Sequence, residues 1–245
     1  MIFRIARSPE GRRITRYDDY NLSVTKGMTV LDVLFRIQDD IDPSLSFRYS
    51  CRGAVCGSCA MLIDRVPRLA CRTPVETIKQ ATLRLREFPA IETAQLSELG
   101  DSVVIIEPLP VLPVLKDLVV DMSSFYQRFE EMKLWTDPED GQEPRTQIPA
   151  ELSRFDRYAN CISCAICLAA CPVCDSHTEF MGPAALAKAW RFHQDSRVTN
   201  QARYLDVAKR REGAPMCELV MNCVKACPKD VAPGGAIREI KSTGQ

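Results

Sequence analysis

The sequence lacks most of the features that identify common functional classes. Its 32 Lys and Arg residues balance its 32 Asp and Glu residues, so no excess charge favours nucleic acid or an anionic membrane surface. Only two histidines are present, His177 and His193, and they are too scattered for a zinc site, so we expect surface or packing roles for them. Because G-x-G-x-x-G and P-loop motifs are also missing, we expect the chain to bind neither flavin nor nucleotide itself.

Long hydrophobic runs are missing too. The most apolar stretch, residues 103–115, is interrupted by Glu107 and three prolines. It falls well short of the roughly 20 apolar residues that a membrane-spanning helix needs. The first residues carry charges where a secretory signal needs an apolar core. We therefore expect a cytosol-facing chain without an export signal or a spanning segment.

Cysteine, by contrast, is abundant, with twelve residues. A reducing cytosol disfavours structural disulfides, so such cysteines indicate metal binding or catalysis. The first group, SCRGAVCGSC followed by LACRT, has the C-x4-C-x2-C spacing of a plant-type 2Fe-2S site. Its candidate ligands are Cys51, Cys56, Cys59 and Cys71. A zinc knuckle is the alternative, although zinc sites favour paired C-x2-C motifs.

The second group, CISCAICLAACP, has the full C-x2-C-x2-C-x3-C-P spacing of bacterial ferredoxins, whereas its counterpart CELVMNCVKACP has Val220 at the second position. In two-cluster ferredoxins the fourth cysteine of such a run binds the other cluster. This rule predicts a 4Fe-4S site formed by Cys161, Cys164, Cys167 and Cys227. It leaves three thiolates for a second site, from Cys171, Cys217 and Cys223.

Three explanations account for the missing fourth thiolate of that second site. A 4Fe-4S cluster could take water or another ligand, Cys174 could supply the thiolate, or the cluster could lack one iron and be 3Fe-4S. Val220 offers no ligand, and we expect it to exclude water, which favours the 3Fe-4S cluster. Cys174 follows Cys171 by three residues, beyond a proline, and we expect it to be a buried hydrophobe or a free thiol.

The length of 245 residues predicts two domains. Strand patterns in the first part and helical patterns in the second predict the α+β class. Residues 1–106 predict a plant-type ferredoxin (β-grasp) domain, with a hairpin around SPEGR, a helix capped by Thr29 and Asp32, and strands at AMLID and TLRLREF. Residues 107–245 predict an all-α, bacterial-type two-cluster ferredoxin domain. It would contain a core-facing helix over 116–135 and a polar loop over 136–149.

The chain resembles the iron-sulfur subunit of succinate dehydrogenase and quinol:fumarate reductase complexes over nearly its full length. The segments that carry the resemblance are SCRGAVCGSCAM, LACRT, PVLKDLVVDMSSFY, RYANCISCAICLAACP, MGPAALAKAWRFHQDSR and CELVMNCVKACPKD. The resemblance implies the same ligand sets as the spacing, with a 3Fe-4S cluster on Cys171, Cys217 and Cys223. It gives the chain no catalytic residue of its own for substrate conversion.

The resemblance also implies partners. A flavoprotein subunit would hold FAD and interconvert succinate and fumarate, and membrane anchor subunits, with any haem, would provide the quinone site. The chain would lie peripherally on the cytoplasmic face of the inner membrane. A related cluster subunit of another dehydrogenase is the alternative, but such proteins tend to add cysteine-rich C-terminal domains. A zinc-binding structural module is a further alternative.

Two departures from ubiquinone-using relatives lie near the last cluster. Those relatives tend to carry tryptophan shortly after the CP of the second group and histidine after the first cysteine of the last group. Here the first stretch reads VCDSHTEF, and Glu218 follows Cys217. These differences favour menaquinone over ubiquinone.

Overall fold

The computed structural model describes residues 1–9, 14–80, 103–136 and 146–243, and the chain divides into two compact units, Met1–Met122 and Ser123–Gln245. The boundary therefore follows residue 122 rather than residue 106. Asp117 explains the difference, because its fully buried carboxylate accepts hydrogen bonds from Arg7 Nε at 3.2 Å and from the backbone N–H of Ser46 at 3.0 Å. These bonds keep the segment after residue 106 in the first unit.

The first unit contains a five-stranded mixed sheet in the order β2-β1-β5-β3-β4. Its strands are β1 Ile2–Arg7, β2 Arg16–Asn21, β3 Ala60–Ile63, β4 Val66–Leu69 and β5 Val103–Glu107. Strands β1 and β5 are parallel, and the other neighbouring pairs are antiparallel. The β1–β2 hairpin and the strand in AMLID are confirmed, whereas the strand predicted at TLRLREF lies outside the described residues.

Helix α1 (Val30–Asp40) begins where its sequence predicts. Thr29 and Asp32 form the predicted capping box, with Asp32 accepting from the Thr29 N–H at 2.9 Å and donating its own N–H to Thr29 Oγ1 at 3.2 Å. The buried face consists of Val30, Leu31, Val33, Leu34 and Ile37. Each such aliphatic side chain contributes about 1.5–3 kcal/mol when fully buried, so the helix is fixed against the sheet by its packing.

Short elements complete the first unit. Two 3-10 turns, Ala70–Arg72 and Val75–Gln80, follow β4, and a second sheet pairs β6 (Val114–Lys116) with β7 (Val119–Val120). The predicted helix over 116–135 is therefore too long at its start. Helix α2 begins only at Ser123 and ends at Glu131, because the preceding residues pair as strands.

Arg7 connects β1 to the loop after α1. Its side chain is only 2% exposed and donates to Tyr20 Oη at 2.7 Å and to Ser44 Oγ at 2.8 Å, besides its bond to Asp117. It also forms an ion pair with Asp42. A buried guanidinium is stable only when its donors and charge are matched, so this cluster holds the loop that leads toward residue 51.

Asp42 should make the stability of the first unit sensitive to acid. Hydrogen bonds from Ser44, and then from Tyr20 and Arg7, hold its pKa well below the ordinary value of 3.8. The pKa of Asp42 is lower in the folded than in the unfolded protein. Its contribution to the free energy of unfolding is therefore complete above the unfolded pKa and is lost as pH falls through the folded pKa. Asp42→Asn should cost about 1.5–3 kcal/mol at pH 7, the range for hydrogen bonds to charged groups.

Thermal unfolding of the parent and the Asp42→Asn variant from pH 7 to pH 3 measures this effect. The variant should start less stable and lose less stability on acidification. Asp39→Asn removes the same charge from an exposed position at the end of α1 and should behave like the parent. Parallel stability curves for the parent and Asp42→Asn would contradict the prediction.

Within its described residues the second unit consists of helices and turns, as predicted. Its helices after α2 are α3 Pro149–Leu152, α4 Asp156–Ala159, α5 Ile166–Ala169, α6 Pro172–Ser176, α7 Gly182–Gln194, α8 Ala202–Ala208, α9 Asn222–Lys225 and α10 Pro233–Ser242, with a 3-10 turn at Ala214–Met216. The predicted polar loop falls mostly outside the described residues. No helix in the described ranges is both long and apolar enough to cross a bilayer.

Helix α7 contacts several other helices of this unit. It packs against α8 and α10, buries Ala184 and Leu186, and has Pro183 in its first turn. Its end is fixed by Asp195, which is buried and bonded to Arg191 at 3.0 Å and Arg197 at 2.8 Å. The short helices α5, α6 and α9 lie within or directly after the cysteine motifs.

Candidate metal centres

The first cysteine group occupies the loop between α1 and β3, and Cys71 lies in the 3-10 turn after β4. Cys51 Sγ accepts hydrogen bonds from the backbone N–H groups of Gly53, Val55 and Cys56 at 3.4, 3.3 and 3.2 Å. Cys56 Sγ accepts from the Cys51 N–H at 3.5 Å, and Cys59 Sγ accepts from the Cys71 N–H at 3.5 Å. N–H···S hydrogen bonds thus pair Cys51 with Cys56 and Cys59 with Cys71 among the four residues of the predicted 2Fe-2S site.

The two ends of this loop differ in electrostatics. Backbone N–H groups lower the pKa of the exposed Cys51 to about 6, whereas burial raises that of Cys59 to about 12. Arg52 lies over the rings of Phe35 and Tyr49, at 4.7 and 5.5 Å, and so anchors the outer end of the loop to α1. The outer end is open to solvent, and the inner end is held by the sheet.

The second cysteine group lines a cavity together with residues from the last motif of the sequence. The cavity has a volume of about 380 Å³, which includes the space at its opening to solvent. Its lining includes the four predicted ligands Cys161, Cys164, Cys167 and Cys227. Most of the remaining lining is apolar; part of it comes from α7 and the start of α10, and the rest from residues that flank the cysteines, such as Ile162 and Val231. The pairing rule from the sequence therefore agrees with the arrangement in space, since residue 227 reaches a motif more than sixty positions earlier.

The chemistry of these thiols suits a bound cationic centre. Burial raises the pKa of Cys164 to about 12 and that of Cys167 well above its usual range. A bare thiolate in such an apolar cavity is unfavourable, so a positively charged metal core is needed to hold several thiolates there. The residues present fit an iron-sulfur cluster.

The third group also comes together. Burial raises the pKa of Cys217, and raises that of Cys223 to about 12, and the charge of the nearby Cys171 adds to the shift in both. Cys223 also lies near Cys167, so the two sites of the second unit are neighbours. Lys241 Nζ donates to the Cys217 carbonyl at 2.6 Å and brings a positive charge to this end.

The backbone around Val220 repeats the backbone around Cys164. In the complete motif, Ser163 and Ala165 have φ values of 53° and 61° on either side of the cysteine. In the incomplete motif, Leu219 and Met221 have φ values of 55° and 66° on either side of the valine. Each motif then begins a four-residue helix, α5 or α9. Val220 therefore occupies a ligand position in backbone terms.

Left-handed residues of this kind turn backbone N–H groups toward the sulfurs. The N–H of Leu219 donates to Cys217 Sγ and that of Val231 to Cys227 Sγ, both at 3.4 Å. A left-handed non-glycine residue costs energy, and such strain concentrates at functional sites. Local sequence does not predict these conformations, because glycine, the usual marker, is absent from these positions.

Val220 is 46% exposed, so within this chain it does not exclude water from its surroundings, contrary to expectation.

The contacts of the two histidines involve residues other than the predicted cysteine ligands. His177 Nδ1 lies 3.6 Å from Glu179 Oε1, and His193 Nδ1 lies 3.2 Å from the Gln201 carbonyl oxygen. These contacts are in keeping with the packing and surface roles expected for the histidines.

A single metal ion fits these sulfurs poorly. Among the described residues, which include all twelve cysteines, no three His, Cys, Asp or Glu side chains are placed to hold one ion. Tetrahedral zinc needs its sulfurs close together, at about 2.3 Å from the ion. The four cysteines that line the cavity of about 380 Å³ surround a space that suits a cluster whose irons are bridged by sulfide better than one zinc ion.

Comparison with known proteins agrees with this geometry. A profile described as "2Fe-2S iron-sulfur cluster binding domain" matches residues 2–127, and one described as "4Fe-4S dicluster domain" matches residues 157–231. The fumarate reductase iron-sulfur subunit of Mycobacterium tuberculosis is 38% identical, with 96% of this chain and 88% of the relative covered. The subunit of that name from Haemophilus influenzae is 33% identical over the same shares.

The chain belongs to the iron-sulfur subunits of the succinate dehydrogenase and fumarate reductase family. A chain of the Mycobacterium smegmatis Sdh1 complex in the apo form shares its fold, with a TM-score of 0.74 and 26% identity over 98% of this chain and 93% of that one. As a member of the family, the chain is an electron-transfer subunit of an oxidoreductase complex. The 2Fe-2S ferredoxin domain and the following 4Fe-4S dicluster domain are confirmed.

Proposed function

We propose that the chain carries electrons between the flavin of a partner subunit, where succinate and fumarate interconvert, and a membrane quinone. Bound iron-sulfur clusters supply the redox chemistry by accepting and releasing single electrons. The chain supplies thiolate ligands, burial and N–H···S hydrogen bonds. Cys51, Cys56, Cys59 and Cys71 would hold a 2Fe-2S cluster, and Cys161, Cys164, Cys167 and Cys227 a 4Fe-4S cluster.

For the third site we propose a 3Fe-4S cluster on Cys171, Cys217 and Cys223. The observation that carries this proposal is Val220, which has the backbone conformation of a ligand position but no ligand atom. The three cysteines lie next to the 4Fe-4S cavity through Cys223 and Cys167, as sequential electron transfer requires. The site therefore offers three thiolates beside a cluster that would exchange electrons with it.

The partners we propose are a flavoprotein with FAD and membrane anchor subunits, which alone would hold any haem. Two observations support them: the relatives bear the name of fumarate reductase subunits, and the similar solved chain comes from an Sdh1 complex. We place the chain on the cytoplasmic face of the inner membrane. The described ranges contain no bilayer-spanning helix, so attachment would come through the anchor.

We propose menaquinone as the quinone. The exposed Glu218 follows Cys217 at the third site, and the stretch VCDSHTEF directly after the CP of the second group contains no tryptophan. An acidic residue there changes the polar contacts available to a quinone headgroup near the cluster.

The purified complex should interconvert succinate and fumarate, and should use a naphthoquinone analogue about tenfold more efficiently than a benzoquinone analogue, equivalent to about 1.4 kcal/mol of transition-state stabilisation. Glu218→His should reduce that preference, with Glu212→His as a control at another glutamate of the same unit. A complex that acts on neither succinate nor fumarate would point to another dehydrogenase and overturn the proposed function. Equal use of both quinones would overturn the menaquinone proposal alone.

A further inference from the structure

Among the described residues, Lys229 is the only charged residue that lines the 4Fe-4S cavity. It follows Cys227 by two positions, and the residue is partly buried. The rest of the lining consists of the cysteines, Ser163 and apolar residues. A charge beside such an apolar lining is screened less than a charge in bulk water, so it acts more strongly on a group bound in the cavity.

The negative charge next to Lys229 in the sequence has a partner of its own. The side chain of Asp230 is 89% exposed, and Arg157 Nη2 lies 2.9 Å from its carboxylate. Water screens such an exposed pair. Lys229 forms no ion pair with a carboxylate in the part of the chain that the structure describes. The positive charge of Lys229 is therefore not cancelled at the cavity.

The segment that carries Lys229 is held by its backbone. Arg157 Nε donates to the Asp230 carbonyl at 2.6 Å, and the Val231 N–H donates to Cys227 Sγ at 3.4 Å. Asp230 is left-handed, with a φ of 54°, and its N–H donates to the Cys227 carbonyl at 3.4 Å. Residues 228–231 are thus tied both to α4 and to the predicted ligand Cys227, which keeps Lys229 at the cavity wall.

We propose that Lys229 raises the reduction potential of the 4Fe-4S cluster through the positive charge of its ammonium group. The inference rests on the proposed ligand set of Cys161, Cys164, Cys167 and Cys227. The bound group becomes more negative when it accepts an electron, so a nearby positive charge stabilises its reduced form. One electron enters the site in this step, no bond to Lys229 forms or breaks, and the lysine keeps its proton.

Redox titration of the purified complex, followed by the EPR signal of each cluster, tests the proposal. Lys229→Gln should change the one-electron equilibrium of the 4Fe-4S cluster about three- to tenfold, which lowers its potential by about 28–59 mV. Lys229→Glu should lower the potential further, and Lys229→Arg, which keeps the charge, should change the equilibrium less than about twofold. Lys225→Gln is the matched control, since it removes an exposed charge of the same motif from a residue that does not line the cavity.

The outcomes separate the two levels of inference. A parent complex without a 4Fe-4S signal would refute the ligand set and the proposed function of this site. A parent with that signal, but with less than about a twofold change in Lys229→Gln or with an equal shift in Lys225→Gln, would overturn the role of Lys229. If Lys229→Gln fails to assemble the cluster, Lys229→Met takes its place, because it keeps an unbranched side chain without the charge. Loss of the 4Fe-4S signal in both variants would make the residue structural and refute the proposal.

Discussion

Replacing Cys227 with alanine is expected to remove the 4Fe-4S cluster and to leave the third cluster in place. Although Cys227 follows Cys223 by only four residues, it lines the cavity of Cys161, Cys164 and Cys167. Loss of a direct ligand should exceed the ~10- to 100-fold loss of metal affinity that follows removal of outer-shell partners. Succinate-dependent quinone reduction should therefore stop, while reduction of a dye directly at the flavin should persist.

The matched variant is Cys223→Ala, which removes a cysteine of the same local motif from the other ligand set. EPR spectra and iron and sulfide contents of both variants should show reciprocal losses: the 4Fe-4S signal in Cys227→Ala and the third signal in Cys223→Ala. The assignment fails if both variants lose the same signal. Zinc in a colourless parent protein would eliminate the redox reading altogether.

The grouping of the cysteines into ligand sets is a prediction that depends only on the spacing of the motifs in the sequence. The rule that the last cysteine of a motif serves the other site predicts that Cys227 joins the cysteines of the earlier motif. The capping box at Thr29 is similarly local, since its partners are three residues apart. Features whose partners are adjacent, or fixed by a repeated motif, could be predicted.

Features that depend on distant packing could not be predicted. The boundary between the two units lies beyond residue 106 because Asp117 is bonded to Arg7 in the first unit. Arg7 lies 110 positions earlier, and no local pattern in the sequence marks that bond. The packing of α2 against α7 is equally invisible in local patterns, because the two helices lie about fifty positions apart in the sequence. The exposure of Val220 was missed for the same reason, since hydrophobicity alone predicted that it would exclude water.

Val220→Cys is expected to convert the third cluster from 3Fe-4S to 4Fe-4S. The backbone already has the required conformation, because the left-handed residues on either side of Val220 match those on either side of Cys164. The side chain is half exposed, so a thiol there has room and needs no rearrangement of the core. The introduced cysteine would provide the missing fourth thiolate, and the iron count should rise by one per complex.

Leu219→Cys is the matched control, since it adds a thiol one residue away at a position that is already left-handed with a side chain. It should leave the cluster type unchanged, because only position 220 corresponds to Cys164. In Val220→Cys the 3Fe-4S EPR signal should disappear and quinone reduction should slow, as the third cluster acquires a different redox couple. If the parent already contained a 4Fe-4S cluster at this site, both spectra would agree, and the exposed corner beside Val220 would have to be occupied by water or another ligand.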